Sequence, residues 1–129
     1  MIILDENITD DQRQLLRSWN IAARKIGKDV GPKGIADEGI IPLLHQLPRP
    51  TLFTCDGDFD RLSLCHLEYC IVYLAVDWRE TASFVRRFLR HPSCSTFAQR
   101  KGRVLRVSHA GIHSWRIRQP HEEMIPWRD

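Results

Sequence analysis

The stretch CIVYLAV, residues 70–76, most constrains the fold because it is apolar at every position. A strand with one face in solvent alternates apolar and polar residues, whereas a strand covered on both faces is apolar throughout. Its β-branched and aromatic residues favour a strand over a helix, and the stretch is far too short to span a bilayer. Residues 70–76 are therefore predicted to form the central strand of a sheet with helices on both faces.

Strand-like and helix-like stretches alternate along the rest of the chain. Further strands are predicted at residues 1–4, within 21–31 and at 51–54. Helices are predicted over residues 9–20, from residues 39–41 onward and over 81–91. This alternation predicts an α/β fold with a mostly parallel sheet. A chain of 129 residues is long enough to bury one sizeable core.

Two finer expectations concern the first helix and the end of the chain. In the first helix, Leu15, Leu16 and Trp19 are expected to face the core. After residue 103, apolar and polar residues alternate on both sides of a turn-like His-Ala-Gly sequence at 109–111, which predicts a β-hairpin. Residues 119–129 are predicted to be a loose tail, so the single domain is expected to span residues 1–118.

Acidic side chains stand where three predicted elements reach the same edge of the sheet. They are Asp5, Glu6, Asp37, Glu38, Asp56 and Asp58. In open α/β sheets the functional crevice lies at the carboxyl ends of the strands. Clustered carboxylates repel one another without a cation, and oxygen ligands are those that Mg²⁺ and Mn²⁺ prefer. The sequence therefore predicts a divalent-metal site at this edge.

Each acid taken singly has a simpler interpretation. Asp37, Glu38 and Asp58 stand at predicted helix starts, where a carboxylate stabilises the positive end of the helix dipole. Asp60, the last acid of DGDFD, is expected to pair with Arg61 or to be solvated. Capping explains individual residues, whereas only a bound cation explains why the groups converge.

Three metal- or phosphate-linked folds also use acids with this spacing. An EF-hand loop that starts at Asp56 would need Gly and Glu where Arg61 and Leu67 stand, which excludes it. A haloacid-dehalogenase-like phosphotransferase and a response-regulator receiver domain both need a downstream lysine. Because Lys101 is the only lysine after Asp60, both are disfavoured as alternatives.

Three motifs together resemble the PIN-like nuclease family. They are IILDENI at residues 2–8, IADEGIIPLL at 35–44 and TLFTCDGDF at 51–59. The nearest likeness is to a compact branch that begins Leu-Asp-Glu-Asn and carries a Thr-x-Asp-x-Asp-Phe box, and it covers roughly residues 1–92. The resemblance implies a three-layer α/β fold, with a mostly parallel central sheet flanked by helices and a C-terminal β-hairpin.

The resemblance also implies an activity and a site. PIN-like proteins hydrolyse RNA phosphodiester bonds with Mg²⁺ or Mn²⁺, and the matching positions make Asp5, Asp37, Asp56 and Asp58 the catalytic metal ligands. Glu6, Glu38 and Thr54 would support them, and Glu38 competes with Asp37 for the second acidic position. PIN-like proteins of this size are commonly toxins of toxin–antitoxin systems. The implied partners are therefore RNA and a small antitoxin protein, in a homodimer or hetero-oligomer.

Charge is divided unevenly along the chain. Residues 1–60 carry a net charge of −3 and residues 61–129 a net charge of +6. An acidic half beside a basic half suits a polyanion that is held by arginines near a carboxylate site. The candidate phosphate-binding arginines are Arg86, Arg87, Arg90, Arg103 and Arg106. A catalytically idle PIN-like module that binds RNA or protein is the alternative function.

Cysteine and histidine spacing gives little further chemistry. Cys55 and Cys70 lie in apolar stretches and are expected to be small buried residues with reduced thiols. His109 and His113 lack two further ligands nearby, which disfavours a zinc site. The opening residues MIILDEN lack the basic start of a signal peptide, so a cytoplasmic location without membrane contact is expected.

Overall fold

The computed structural model describes residues 1–128 as an α/β fold built on one seven-stranded sheet. The strands are β1 (Ile2–Leu4), β2 (Ala23–Lys25), β3 (Thr51–Thr54), β4 (Cys70–Leu74), β5 (Arg103–Ser108), β6 (Gly111–Arg116) and β7 (Glu123–Ile125). The helices are α1 (Asp10–Ser18), α2 (Ile40–Gln46), α3 (Thr81–Arg90) and α4 (Phe97–Arg100). The predicted α/β class with a mostly parallel sheet is confirmed.

The sheet order is β2-β1-β3-β4-β5-β6-β7, which places β4 in the centre. β1 to β5 are parallel, β6 is antiparallel to β5, and β7 is antiparallel to β6. Two residues, His109 and Ala110, connect β5 to β6. The central position of β4 explains why its sequence is apolar throughout, since neighbouring layers cover both of its faces.

Strand register divides the core into two layers. Leu4, Phe53, Val72 and Leu105 are neighbours across the sheet, and they pack in one buried cluster with residues of α1 and α3. The residues that precede them in each strand form the row on the other face, which packs with α2; they are Ile3, Leu52, Ile71 and Val104. Because side chains alternate between faces along a strand, α1 and α2 lie on opposite sides of the sheet.

The buried face of α1 differs from the predicted one. Leu16 is fully buried, but Leu15 is 36% exposed, and the polar residues Gln12 and Arg13 are buried instead. The Gln12 side-chain oxygen accepts a hydrogen bond from the backbone N–H of Ala82, which fastens α1 to the start of α3. The helical spacing of apolar residues predicts that Leu15 is buried, whereas the structure buries the hydrogen-bonded side chain of Gln12 instead.

The end of the chain also differs from its prediction. Residues 119–128 include β7, which pairs with β6 and extends the sheet. The Trp127 indole N–H donates to the backbone oxygen of Ser108 at 2.8 Å, and its ring packs near Phe84 and His91. The predicted loose tail is therefore wrong for these residues, because one short strand and one tryptophan anchor fix them. Asp129 lies outside the described residues.

None of the helices in residues 1–128 has the length and apolar character needed to cross a membrane.

Candidate functional site

The order of the strands in the sheet changes direction at β1, which lies between β2 and β3. The chain passes from β1 to β2 on one side, and then returns to place β3 on the other side of β1. α1 and α2 cover opposite faces, and in open α/β sheets such a reversal is where the functional crevice is expected, at the carboxyl ends of β1 and β3. Asp5 and Asp56 follow these two strands, so the topology brings both into the predicted crevice.

The Thr54 hydroxyl connects the ends of β1 and β3. This buried group donates to Asp5 Oδ2 at 2.7 Å and accepts from the backbone N–H of Asp56 at 3.0 Å. The Asp5 backbone N–H donates to the Phe53 oxygen at 2.9 Å, which continues the sheet ladder to the acid. Asp5 and Asp56 are thus held in a fixed relation by a single side chain between them.

Asp56 also shapes the turn that carries Asp58. Its Oδ1 atom accepts the Asp58 backbone N–H at 2.9 Å, at the start of a 3₁₀ turn formed by Gly57–Phe59. The turn lies against Tyr73, since a Cβ at position 57 would be in ordinary van der Waals contact with the Tyr73 ring at 3.4 Å. Asp58 is left exposed to solvent at the tip of the turn.

Asp37 and Glu38 reach the same region from another segment. They open the 3₁₀ turn Asp37–Gly39, which runs directly into α2, and both are exposed. Together with Asp58 they line a cavity of about 630 Å³. The other lining residues are Ile41, Gly57, Phe59, Arg61 and Leu64. Acids from two separate segments therefore line one concave surface, and Asp5 and Asp56 are not among its lining residues.

Glu6 has a different task. Its carboxylate oxygens both accept the backbone N–H of Gly34 at 2.9 Å. The contact ties the end of β1 to the loop that leads towards Asp37. Glu6 therefore positions the loop, which agrees with a supporting rather than a ligating role.

The four candidate ligands belong to the acids of residues 1–128 that have no basic partner, a feature that they share with Glu6, Asp11 and Glu38. Among residues 1–128, no Lys, Arg or His nitrogen lies within 4.0 Å of the carboxylates of Asp5, Asp37, Asp56 or Asp58. All four offer hard oxygen donors, which suits Mg²⁺ or Mn²⁺. In the described residues no three of these acids place oxygens within 4.8 Å of one another, so waters would complete the coordination of an ion held here.

The structure corrects the predicted environment of Asp60. Its carboxylate, with a side chain only 14% exposed, pairs with Arg106 at 2.7 Å instead of with Arg61. Arg106 also contacts Glu122, and although burial lowers its pKa, the hydrogen bonds to Asp60 and Glu122 outweigh burial and raise it. Arg106 is therefore occupied by two acids within the protein.

Arg103 is likewise not a surface arginine. It is 1% exposed, and its Nε–H donates to the Ser114 hydroxyl at 2.9 Å across the β5–β6 pair. Burial lowers its pKa, and Glu123 lies 3.4 Å away. The expectation that Arg103 grips phosphate is therefore wrong, because its guanidinium faces the interior of the fold.

The other three candidate arginines lie along α3. Arg86 stacks on the Trp19 ring at 3.6 Å, and Arg87 lies 4.3 Å from the centre of the Trp127 ring. They border a second cavity, of about 530 Å³, together with Ser83, Arg90, His91, Pro92, Trp127 and Arg128. Several arginines beside an aromatic ring form a surface that suits an anionic ligand.

The cysteines follow their prediction only in part. Cys70 is fully buried, as expected, but Cys55 is exposed rather than a core residue. Partial burial of the Cys55 thiol raises its pKa, and the negative charge of Asp5 raises it further. The thiol is therefore neutral near pH 7 and does not compete with the carboxylates as a ligand.

One group of side chains was missed by reasoning from the sequence. His45, His66 and Glu68 place one ligand atom each within 4.8 Å of one another. The two histidines are separated by a helix end, a strand and two turns, so no local spacing reveals the group.

In comparisons with protein-family models, curated proteins and solved structures, nothing matches this chain.

Proposed function

We propose that this chain is a PIN-like ribonuclease that hydrolyses RNA phosphodiester bonds with Mg²⁺ or Mn²⁺ at the Asp5–Asp56 edge. The observation that carries the proposal is the Thr54 hydroxyl, which fixes Asp5 and Asp56 at the switch point of the sheet through contacts of 2.7 and 3.0 Å. Neither acid has a cationic partner among residues 1–128. A fixed pair of uncompensated carboxylates at such a crevice is what a divalent cation needs.

The carboxylates divide the work according to their exposure. Asp5 and Asp56 are half-buried and hydrogen-bonded, so they form the rigid part of the ligand set. Asp37 and Asp58 are exposed at the cavity wall, where they complete the set and can accept a proton from an attacking water. When bound, Mg²⁺ or Mn²⁺ supplies charge neutralisation for the phosphate and a lowered pKa for water.

RNA is the proposed substrate, and the α3 arginines are its proposed anchor. α3 follows β4 and returns from the carboxyl edge of the sheet, so Arg86, Arg87 and Arg90 form a basic line that leads away from the acids. A phosphate chain long enough to span both regions would meet arginines at one end and carboxylates at the other. The toxin role, the antitoxin partner and the oligomer are part of the proposal, and the three sequence motifs support them.

The test uses purified protein and a fluorophore-quencher RNA oligonucleotide. Cleavage should require Mg²⁺ or Mn²⁺ and stop with EDTA, and Asp56→Asn should reduce it by about 100-fold or more, because the proposal needs that carboxylate at the reacting centre. The matched control is Asp60→Asn in the same DGDFD stretch, which should retain cleavage since Asp60 pairs with Arg106. Cleavage that survives both Asp5→Asn and Asp56→Asn would refute the site.

A second candidate function is a catalytically idle module that binds RNA. The arrangement of the acids favours it, because no three of them converge to within 4.8 Å in the described residues. An idle module would bind RNA through the α3 arginines equally well with EDTA and with Mg²⁺, and would gain no thermal stability from either metal. Melting curves with and without metal, for the unmodified chain and for Asp5→Asn, separate the two functions.

A further inference from the structure

His45, His66 and Glu68 meet at the opposite edge of the sheet from Asp5 and Asp56. His45 lies in the last turn of α2, and His66 and Glu68 lie just before β4, so all three are at the amino ends of the parallel strands. His45 Nδ1 is 2.7 Å from Glu68 Oε2, and His66 Nδ1 is 3.7 Å from the same oxygen. Ligands at about 2.05 Å around a tetrahedral zinc ion stand about 3.3 Å apart, close to both separations.

A buried tyrosine holds the two imidazole rings in place. Tyr69 is 3% exposed, and its hydroxyl donates to the backbone oxygen of Leu64. The His66 ring stacks on Tyr69 with centroids 5.5 Å apart, and the His45 ring meets Tyr69 edge-on at 5.4 Å. The rings are therefore oriented by the core before any ion arrives, which reduces the entropy lost on binding.

The hydrogen bonds of the group define which nitrogen atoms can act as ligands. His66 Nδ1 accepts the backbone N–H of Glu68 at 3.1 Å, so this atom carries a lone pair. His45 Nδ1 faces the Glu68 carboxylate at 2.7 Å and donates to it. A divalent cation would replace the Nδ1 proton of His45, which is then carried on Nε2, and would displace the Glu68 N–H from the single lone pair of His66 Nδ1, while Glu68 supplies the negative charge.

We propose that His45, His66 and Glu68 form a binding site for Zn²⁺, separate from the proposed nuclease site. Two imidazoles, one carboxylate and a water form a tetrahedral set that suits zinc, whereas the hard ions Mg²⁺ and Mn²⁺ prefer an all-oxygen set. The proposal stands independently of the ribonuclease function.

Occupation of this site would join two segments that also form the acidic cavity. Residues 37–46 carry Asp37 at one end and His45 at the other, and residues 57–68 carry Asp58 near one end and Glu68 at the other. The ion would therefore link the far ends of both cavity walls. Hydrogen exchange should slow in both segments when Zn²⁺ is added, and should stay unchanged in α1.

The test is isothermal titration of the full chain with Zn²⁺ in the presence of excess Mg²⁺. One high-affinity site is expected, and His45→Gln, His66→Gln and Glu68→Gln should each weaken binding by about tenfold or more. His121→Gln, which alters an exposed histidine outside the group, should bind as the unmodified chain does. Melting in EDTA checks that each variant folds. The proposal would be overturned if the unmodified chain did not bind Zn²⁺, or if all three variants bound Zn²⁺ as tightly as the unmodified chain.

Cobalt spectroscopy distinguishes this site from one built on a cysteine. Co²⁺ bound to nitrogen and oxygen ligands should show d–d bands without thiolate charge transfer, whereas a charge-transfer band would place the ion on a cysteine thiolate and contradict the proposal. Asp56→Asn should keep Zn²⁺ binding, and His66→Gln should keep Mg²⁺-dependent RNA cleavage. If the test of one proposed site gives a negative result, the test of the other site can therefore still be interpreted.

Discussion

Two acidic regions of this protein differ in whether basic side chains pair with their carboxylates. Beside α1, Arg13 donates to both oxygens of Asp29, at 2.8 and 3.0 Å, and Lys28 contacts Asp10 at 2.9 Å. At the carboxyl edge of the sheet, Asp5 and Asp56 receive hydrogen bonds only from a hydroxyl and from backbone N–H groups. The first region is neutralised within the chain and the second is not.

The contrast separates structural acids from candidate ligands. Hydrogen bonding by Arg13 lowers the pKa of Asp29 from 3.8 to about 2, because the ion pair stabilises its charged form. An acid matched in this way has no free capacity for a metal ion. The edge acids lack such partners in residues 1–128, which supports the proposal that a cation binds at the carboxyl edge rather than at the start of α1.

The largest effect on the free energy of unfolding is expected when the ion pair between Arg13 and Asp29 is removed. Arg13→Met should lower the free energy of unfolding by about 2 kcal/mol, because the Asp29 carboxylate, whose side chain is 20% exposed, loses both charge-assisted hydrogen bonds from Arg13. Urea denaturation measures the change. The matched control is Arg17→Met, whose side chain is 47% exposed and 3.6 Å from the same carboxylate, and which should cost less than about 1 kcal/mol. Equal losses of stability in both variants would contradict the conclusion that Arg13 is the main partner of Asp29.

A smaller effect is expected at the link between the edge acids. Thr54→Val keeps the shape of a fully buried side chain but removes the hydroxyl that bonds Asp5 and the Asp56 N–H. The free energy of unfolding should fall by about 1.5 kcal/mol, since a buried donor loses its partner, and Mg²⁺ should stabilise the variant less. Thr54→Ser, which retains the hydroxyl, should recover the metal response. A normal Mg²⁺ response in Thr54→Val would separate the threonine from the site.

The next effect is a pH dependence confined to the neutralised region. Because the pKa of Asp29 is about 2 in the folded chain against an ordinary 3.8, the pair stabilises the fold fully above the ordinary value. That stability is lost as the pH falls from about 4 through about 2, and amounts to about 1 kcal/mol after allowance for solvent screening. Denaturation midpoints of the unmodified chain and of Asp29→Asn should converge over this window. Parallel profiles would show that other acids dominate.

Most of the strands and helices were predictable because their signals are local, whereas the short elements α4 and β7 were not predicted. The apolar stretch that contains β4 and the helical spacing around Phe84 and Phe88 each describe one element and its burial. Pairs between distant residues were not predictable in the same way. Asp60 meets Arg106 only after β5 takes its place in the sheet, and His45 meets Glu68 only after α2 and the turn before β4 pack together. Their partners depend on register and packing, which sequence spacing does not encode.

The same limit applies within the candidate site. The position of each acid at the end of a strand or the start of a helix follows from sequence, and so does the expectation that parallel strands bring Asp5 and Asp56 to one edge. The role of Thr54 as the hydrogen-bonded link, and of Glu6 as a partner of Gly34, needs the actual geometry.

The smallest effect distinguishes the two acidic regions most directly, because its sign differs between them. Without metal, Asp58→Asn should change the free energy of unfolding by less than about 0.5 kcal/mol and in the stabilising direction, since it removes one of several like charges and breaks no ion pair, while Arg61 binds only the backbone oxygen of Asp58. Asp29→Asn should destabilise the chain, because it removes the partner of Arg13. Thermal melts in EDTA and in Mg²⁺ provide the measurement. Asp58→Asn should also reduce the Mg²⁺-induced rise in melting temperature, and a destabilised Asp58→Asn in EDTA would mean that this carboxylate serves the fold.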